Sequence, residues 1–179
     1  MTRRKEIDPD AILDVAEAVI VELGAHRLTL DLVASRAGIS KGGLAYNFKS
    51  KNELISAIVG RELARFRREV ECRTDQFRDS THPDLLARIA VSRSEDKVMI
   101  SKAASALVAF QLSEMQREAS KQVYQAELSA FDLSQAQGRK GLVAFLALEG
   151  LFFLKGLNFI DMDEDEWQQV HDIISESYG

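Results

Sequence analysis

A single cysteine, Cys72, in a chain of 179 residues excludes an internal disulfide framework and fits a reducing compartment. Prolines are equally scarce: Pro9 and Pro83 are the only two, and each falls where a helix can begin. The three histidines, His26, His82 and His171, lie far apart without metal-ligand spacing, so neither a metal nor a cofactor is expected. No Ser/His/Asp arrangement or phosphate-cradling loop is present, which argues against an enzyme. Long apolar runs are lacking too. The longest, "GLVAFLALEGLFFLKGL", is interrupted by Glu149 and ended by Lys155, short of the roughly 20 residues a bilayer span needs. The opening "MTRRKEIDPD" leads into no apolar segment of the kind found in a secretion signal. A soluble cytoplasmic protein with no membrane partner is the expectation.

An excess of positive charge is missing as well, since the net charge is −5. The distribution is uneven, however. Residues 1–73 hold 13 Lys/Arg against 11 Asp/Glu, whereas residues 74–179 hold 10 against 17. Such asymmetry suits one end that faces nucleic acid and another that faces something else.

The chain is filled by helical periodicity, with no strand-like alternation and no internal repeat. The spacing predicts about nine helices in an all-α fold. Asp8 caps the first, with Pro9 at its first position and Ile12, Ala16, Val19, Ile20 and Leu23 on its apolar face before Gly24. Thr29 caps the second, Ser40 the third, and a longer fourth starts near Ser50. The charged "RFRREVECR" within that fourth helix reads as a solvated face. Polar "TDQFRDSTHP" marks a junction. Pro83 opens a fifth helix to about Val91, Ser94 caps a sixth, and Ser113 with Gln116 forms a capping-box pattern for a seventh. Gly138 and Gly141 bracket the entry to the eighth, and Asp163 with Glu166 starts the ninth. Three units are expected: residues 1–50, a connecting helix over 51–74, and a larger helical domain over 75–179.

Residues 29–51, "TLDLVASRAGISKGGLAYNFKSK", carry the most specific pattern. Ala34 is small where two helices must cross, Gly38 suits a left-handed turn, Ile39 plugs the angle, and Ser40 caps the third helix. That is the arrangement a helix-turn-helix requires. Gly42 and Gly43 sit in the first turn of the third helix, where each costs about 1 kcal/mol relative to alanine. Only Leu44 and Phe48 are patterned inward. The outward set, Lys41, Gly42, Gly43, Ala45, Tyr46 and Asn47, has no acid and little side-chain bulk, which fits a helix lying in the major groove with its backbone close to DNA. Lys41 suits guanine or phosphate, Asn47 adenine or phosphate, and Tyr46 a thymine methyl or sugar. Lys49, Lys51, Thr29 and Ser40 flank that helix as candidate backbone contacts, and Arg3, Arg4 and Lys5 form a short basic arm.

The pattern T-x-x-x-V-A-x-x-A-G-I-S-K-G-x-L-x-x-x-F-x-S-K-x-x-L from Thr29 to Leu54 resembles the DNA-binding domain of tetracycline-repressor-family (TetR/AcrR) regulators. The resemblance covers roughly residues 8–70. It implies a homodimer with a three-helix DNA-binding head, a connecting fourth helix, and an all-helical ligand-binding and dimerisation domain. It further implies a small-molecule effector that spreads the heads and releases double-stranded operator DNA. What the resemblance implies for DNA contact carries over more firmly to Thr29, Lys41, Tyr46 and Lys51 than to Gly43, Ala45 or Asn47. Ala45 stands where the family often has tyrosine, and Asn47 where it has histidine or tyrosine.

In the larger domain the eighth helix is apolar nearly all round, as expected of a helix buried on more than one side. A two-fold partner covering its outer face is the simplest cover. The expected interface is Ala144, Ala147, Leu148 and Leu151 with Trp167, Val170 and Ile174 of the ninth helix. Leu107, Phe110, Tyr124, Phe131 and Phe152 are candidates to line an apolar pocket. Glu149, the one charge inside the apolar run, either meets a cationic effector or bonds a neighbouring helix, since an unpaired buried carboxylate costs several kcal/mol. A DNA-binding architectural or protein-interaction factor on the same scaffold, with no inducer, is the competing reading. It predicts a fully packed larger domain.

Overall fold

The computed structural model describes residues 8–110 and 114–179. The arm Arg3–Lys5 and the Ser113 half of the expected capping box lie outside those residues. Nine α-helices and no strands are present among the described residues: α1 (Pro9–Leu23), α2 (Leu30–Arg36), α3 (Lys41–Asn47), α4 (Lys51–Thr74), α5 (Pro83–Ser94), α6 (Lys97–Phe110), α7 (Glu114–Ser129), α8 (Ala136–Gly156) and α9 (Glu164–Tyr178).

Local chemistry sets most of the helix starts. Side chains of Asp8, Thr29, Ser40 and Ser50 each accept a backbone N–H of the first turn they precede. Asp163 and Glu166 form a reciprocal capping box at α9. One cap differs from expectation. Ser94 closes α5, its hydroxyl donating to Val91 O, and Asp96 caps α6 by accepting Met99 N–H at 2.9 Å. The acid two residues on supplies the stronger acceptor at that turn.

Two cores result. The first joins α1, α2, α3 and the first half of α4 through Ile12, Val19, Leu28, Val33, Leu44, Leu54 and Ile58, and it takes in Ala106 and Ala109 from α6. Arg61 staples α4 to α1, donating to Asp14 Oδ1 at 2.8 Å and Glu17 Oε1 at 2.5 Å. Burial raises the Glu17 pKa against the opposing pull of Arg61. The second core lies between α5, α6, α8 and α9, around Leu85, Ile100, Phe145 and Trp167. α4 belongs to both halves: beyond the head, its Val70 packs with Ala87 and Val91 of α5.

The expected dimer face needs correction. Ala144, Leu148, Leu151, Trp167 and Ile174 are closed off within the chain itself, and Val170 packs partly buried against the same core. Trp167 also satisfies its indole N–H internally, donating to Arg93 O. Of the seven residues named, Ala147 alone stands exposed. The reason is helical phase. Positions 144, 148 and 151 share the inner face of α8, while 143, 146, 147, 150 and 154 share the outer one. Both faces are apolar, and the outer one keeps Val143, Leu146 and Leu154 exposed, with Ile173 exposed on neighbouring α9.

Candidate functional site

The turn between α2 and α3 is built as its residues require. Gly38 takes φ +66°, a conformation that L side chains rarely adopt, and Ile39 packs onto the head core. α3 anchors itself by Leu44 and Phe48 and turns the rest outward. Lys41, Gly42, Ala45 and Tyr46 are exposed, Tyr46 at 88%, with Gly43 and Asn47 half-buried beside them. A Cβ added at Gly42 would meet nothing within 4 Å. The missing side chain therefore answers no packing need of the protein itself.

The flanking polar groups are already engaged to different degrees. Lys41 Nζ pairs with Asp31 at 2.8 Å, an exposed bridge of the kind worth under about 1 kcal/mol and easily exchanged. Asn47 Nδ2 donates weakly, at 3.4 Å, to Gly43 O. Lys51 Nζ donates to Ala25 O at 2.8 Å, tying α4 to the turn after α1. Lys49 is exposed, and its side chain meets no partner among the described residues. Thr29 and Ser40 are both exposed and both occupied as caps. Sequence reasoning does not flag Asp31, in the first turn of α2, as the partner of Lys41 at the start of α3.

A cavity of about 250 Å³ lies in the larger half, walled by α4, α5, α6, α7 and α8. That is near the ~300 Å³ lower end for ligand sites. Leu107, Phe110, Tyr124, Glu149 and Phe152 line it together. Phe131 does not, and that expectation is corrected. The turn from α7 into α8 carries its ring away to stack near His82 (5.2 Å) and Phe145 (5.8 Å), against Gly141. Inside the cavity Tyr124 Oη donates to Glu149 Oε2 at 2.8 Å. Burial raises the Glu149 pKa, with the Tyr124 hydrogen bond and Arg88 pulling the other way. The Tyr124 phenol is likewise raised, first by burial and then by the Glu149 charge.

Sequence reasoning missed the charged rim of this cavity. Arg65 lies within the run read as a solvated face, yet it turns inward to Glu95 (2.6 Å) and Glu62 (3.2 Å). Arg88 pairs with Glu127 at 2.5 Å. Arg65 and Arg88 thus each have their own acid. Glu149 is the carboxyl whose nearest polar partner is a phenol rather than a cation. Phase within "RFRREVECR" was the available signal, because Arg65 follows Glu62 and Arg61 at helical spacing while Arg67 and Arg68 are exposed, Arg67 still reaching the cavity lining. Among the described residues no group of three or more His, Cys, Asp and Glu is placed to hold a metal, and no helix is long and apolar enough to cross a membrane.

Residues 12–58 match the family of bacterial regulatory proteins described as the tetR family. Over 159 residues the chain is 28% identical to the HTH-type transcriptional regulator BetI of Serratia proteamaculans, spanning 82% of this chain and 79% of that protein. Among solved structures, a transcriptional regulator from Aquifex aeolicus superposes with a TM-score of 0.68 at 19% identity, covering 94% of this chain and 98% of its own. The SmeT–triclosan complex gives 0.68 at 22% identity, with 94% and 90% covered. At those identities the structural matches speak for a common fold.

Proposed function

Because this chain belongs to the tetR family of bacterial regulatory proteins, as a DNA-binding transcriptional regulator rather than an enzyme, we propose that it works as a homodimeric repressor lifted from its operator by a lipophilic cation. The observation that carries the DNA half is the outer face of α3. It is free of acids and stripped of bulk at Gly42, where nothing inside the protein asks for a glycine. A major groove about 12 Å wide admits such a helix. In this reading Lys41, Tyr46 and Asn47 meet base edges, Gly42, Gly43 and Ala45 let the backbone approach, and Lys49, Lys51, Thr29 and Ser40 meet phosphates. The protein acts in the cytoplasm, on the chromosome.

The effector half rests on Glu149. A carboxyl among Leu107, Phe110 and Phe152, bonded to Tyr124 and without a basic side chain of its own, suits a flat apolar molecule with one positive charge. SmeT, a neighbour of this fold, is described in complex with triclosan, which supports treating the cavity as a ligand site. An open cavity also favours this reading over the inducer-free architectural factor. The partner protomer is assigned to the outer stripe Val143, Leu146, Ala147, Gly150 and Leu154 with Ile173. At Gly150 an added Cβ would meet nothing within 4 Å, leaving room for a close approach.

The test is selection of duplexes from a random library by the purified protein, followed by displacement with ethidium. An inverted repeat with half-sites about 34 Å apart, or a multiple of that, is expected, and ethidium should release it. Absence of any sequence preference at low salt would defeat the DNA half. Because ethidium also intercalates duplex DNA, its binding to the free protein is measured alongside, and binding there unaffected by Glu149→Gln would defeat the effector half.

A further inference from the structure

α7 is fastened at its two ends to different halves of the molecule. It buries a single residue, Gln116, which is 4% exposed, while Met115, Val123 and Leu128 remain exposed. A helix with so little buried surface is held by side-chain attachments rather than by its own packing. At its first turn, Gln116 Nε2 donates to Ser56 Oγ at 2.7 Å and approaches Asn52 O at 3.4 Å. Ser56 in turn donates to Asn52 O at 2.8 Å. Both acceptors belong to the opening of α4, directly after α3, in the stretch whose Leu54, Ile55, Ile58 and Val59 lie in the head core. Two turns further along α7, Tyr124 grips Glu149 and Glu127 grips Arg88 inside the cavity.

We infer that α7 is a strap joining the cavity to the DNA-binding head, with Gln116 as the positioning residue that transmits movement of Tyr124 to Ser56 and the opening of α4. The eight-residue step from Gln116 to Tyr124 spans about 12 Å of rigid helix. A molecule that takes Glu149 away from Tyr124 leaves Glu127–Arg88 as the strap's one remaining hold named at the cavity end, and the loosened helix then shifts at its other end against the turn that sets α3. This rests on the reading of the cavity as a ligand site, but the coupling belongs to the chain itself and can be measured without a ligand.

The test is a double-substitution cycle on the full chain. Hydrogen exchange is followed over residues 49–60 in the original protein, Tyr124→Phe, Gln116→Leu and the pair. Each single change is expected to speed exchange there by about fivefold, the size of one net hydrogen bond. The pair should show no more than Gln116→Leu alone, because the strap is already cut. Ser56→Ala cuts it from the α4 side and should reproduce Gln116→Leu, which covers the case in which the buried substitution fails to fold. Effects that simply multiply, or a Tyr124→Phe change that never reaches residues 49–60, would overturn the strap. Affinity for a duplex selected from a random library gives a second readout with the same expected non-additivity. If no duplex is selected, the DNA reading falls while the exchange cycle still decides the strap.

Discussion

Alanine at Leu146 and at Leu148, made separately, distinguishes the outer face of α8 from the inner one. Leu148 is 5% exposed and sits in the second core, so its truncation leaves a cavity. Buried leucine-to-alanine changes cost about 2–5 kcal/mol. For a chain of this size that lowers Tm by roughly 2–4 °C per kcal/mol. Leu146 is 53% exposed in the single chain and contributes little to its fold. Full burial of a leucine is worth about 1.5–3 kcal/mol. Covering the exposed half against a partner is therefore worth about 1 kcal/mol per protomer, or about 2 kcal/mol across a two-fold interface, close to thirtyfold in the dimer Kd. Sedimentation equilibrium over a dilution series reads that constant, and thermal unfolding at a concentration well below it, where the chain is monomeric, reads the core. Leu146→Ala should weaken the dimer and spare Tm; Leu148→Ala should do the reverse. A dimer constant untouched at Leu146 would refute the outer-face assignment, and still more so if Leu148→Ala moved it without lowering Tm.

Gly42→Leu relieves a helix-propensity penalty without a clash, so Tm should hold or rise by the equivalent of about 0.5–1 kcal/mol while operator affinity drops at least about tenfold; retained affinity would show that nothing approaches that turn. Burial raises the Glu149 pKa, so its ionised carboxylate destabilises the folded chain, and that cost is lost as pH falls through the raised pKa and the carboxyl takes up a proton. Glu149→Gln should accordingly raise Tm at pH 8 by more than at pH 5, and wild-type affinity for ethidium should fall as the carboxyl protonates, both checked by titration over pH 5–8. Lys49→Ala should flatten the log–log salt dependence of operator binding by about 0.9 per protomer, whereas Lys51→Ala, which also breaks a bond to Ala25 O, should lower Tm as well. Identical salt slopes for wild type and Lys49→Ala would remove Lys49 from the phosphate contacts.

The head is legible because its determinants are local. A cap such as Ser40 or Thr29 acts within three residues, and Gly38 declares its turn by its own φ. The larger half hides its determinants in long-range packing. α8 is apolar on both faces, so its sequence says that it is covered twice but not which face meets the partner, and Ala144 packs inward rather than on the expected side for that reason. Leu107, Phe110, Tyr124, Glu149 and Phe152 come together as read, because a lone carboxyl in an apolar run has few places to go. Phe131 lies elsewhere since a turn, not a helix, decides where its ring points. Gln116 and Arg65 are invisible for a different cause: a polar residue in a polar stretch carries no mark of being buried until its partner, sixty residues or thirty away, is known.

Two physical routes reach the first half of α4, and they differ in what they can transmit. Ala106 and Ala109 of α6 sit inside the head core, and Leu107 and Phe110 beside them line the cavity, so this wall of the cavity is continuous with the head's packing. Close-packed contacts of that kind resist compression and pass on displacement, but they carry no switch of their own. The hydrogen bonds at Tyr124–Glu149 and Gln116–Ser56 are made or broken one at a time, which gives discrete states to select between. A regulator needs both properties at the same helix. Rigid packing through α6 keeps the head aligned in the resting state, and the exchangeable bonds of α7 decide when that alignment is given up.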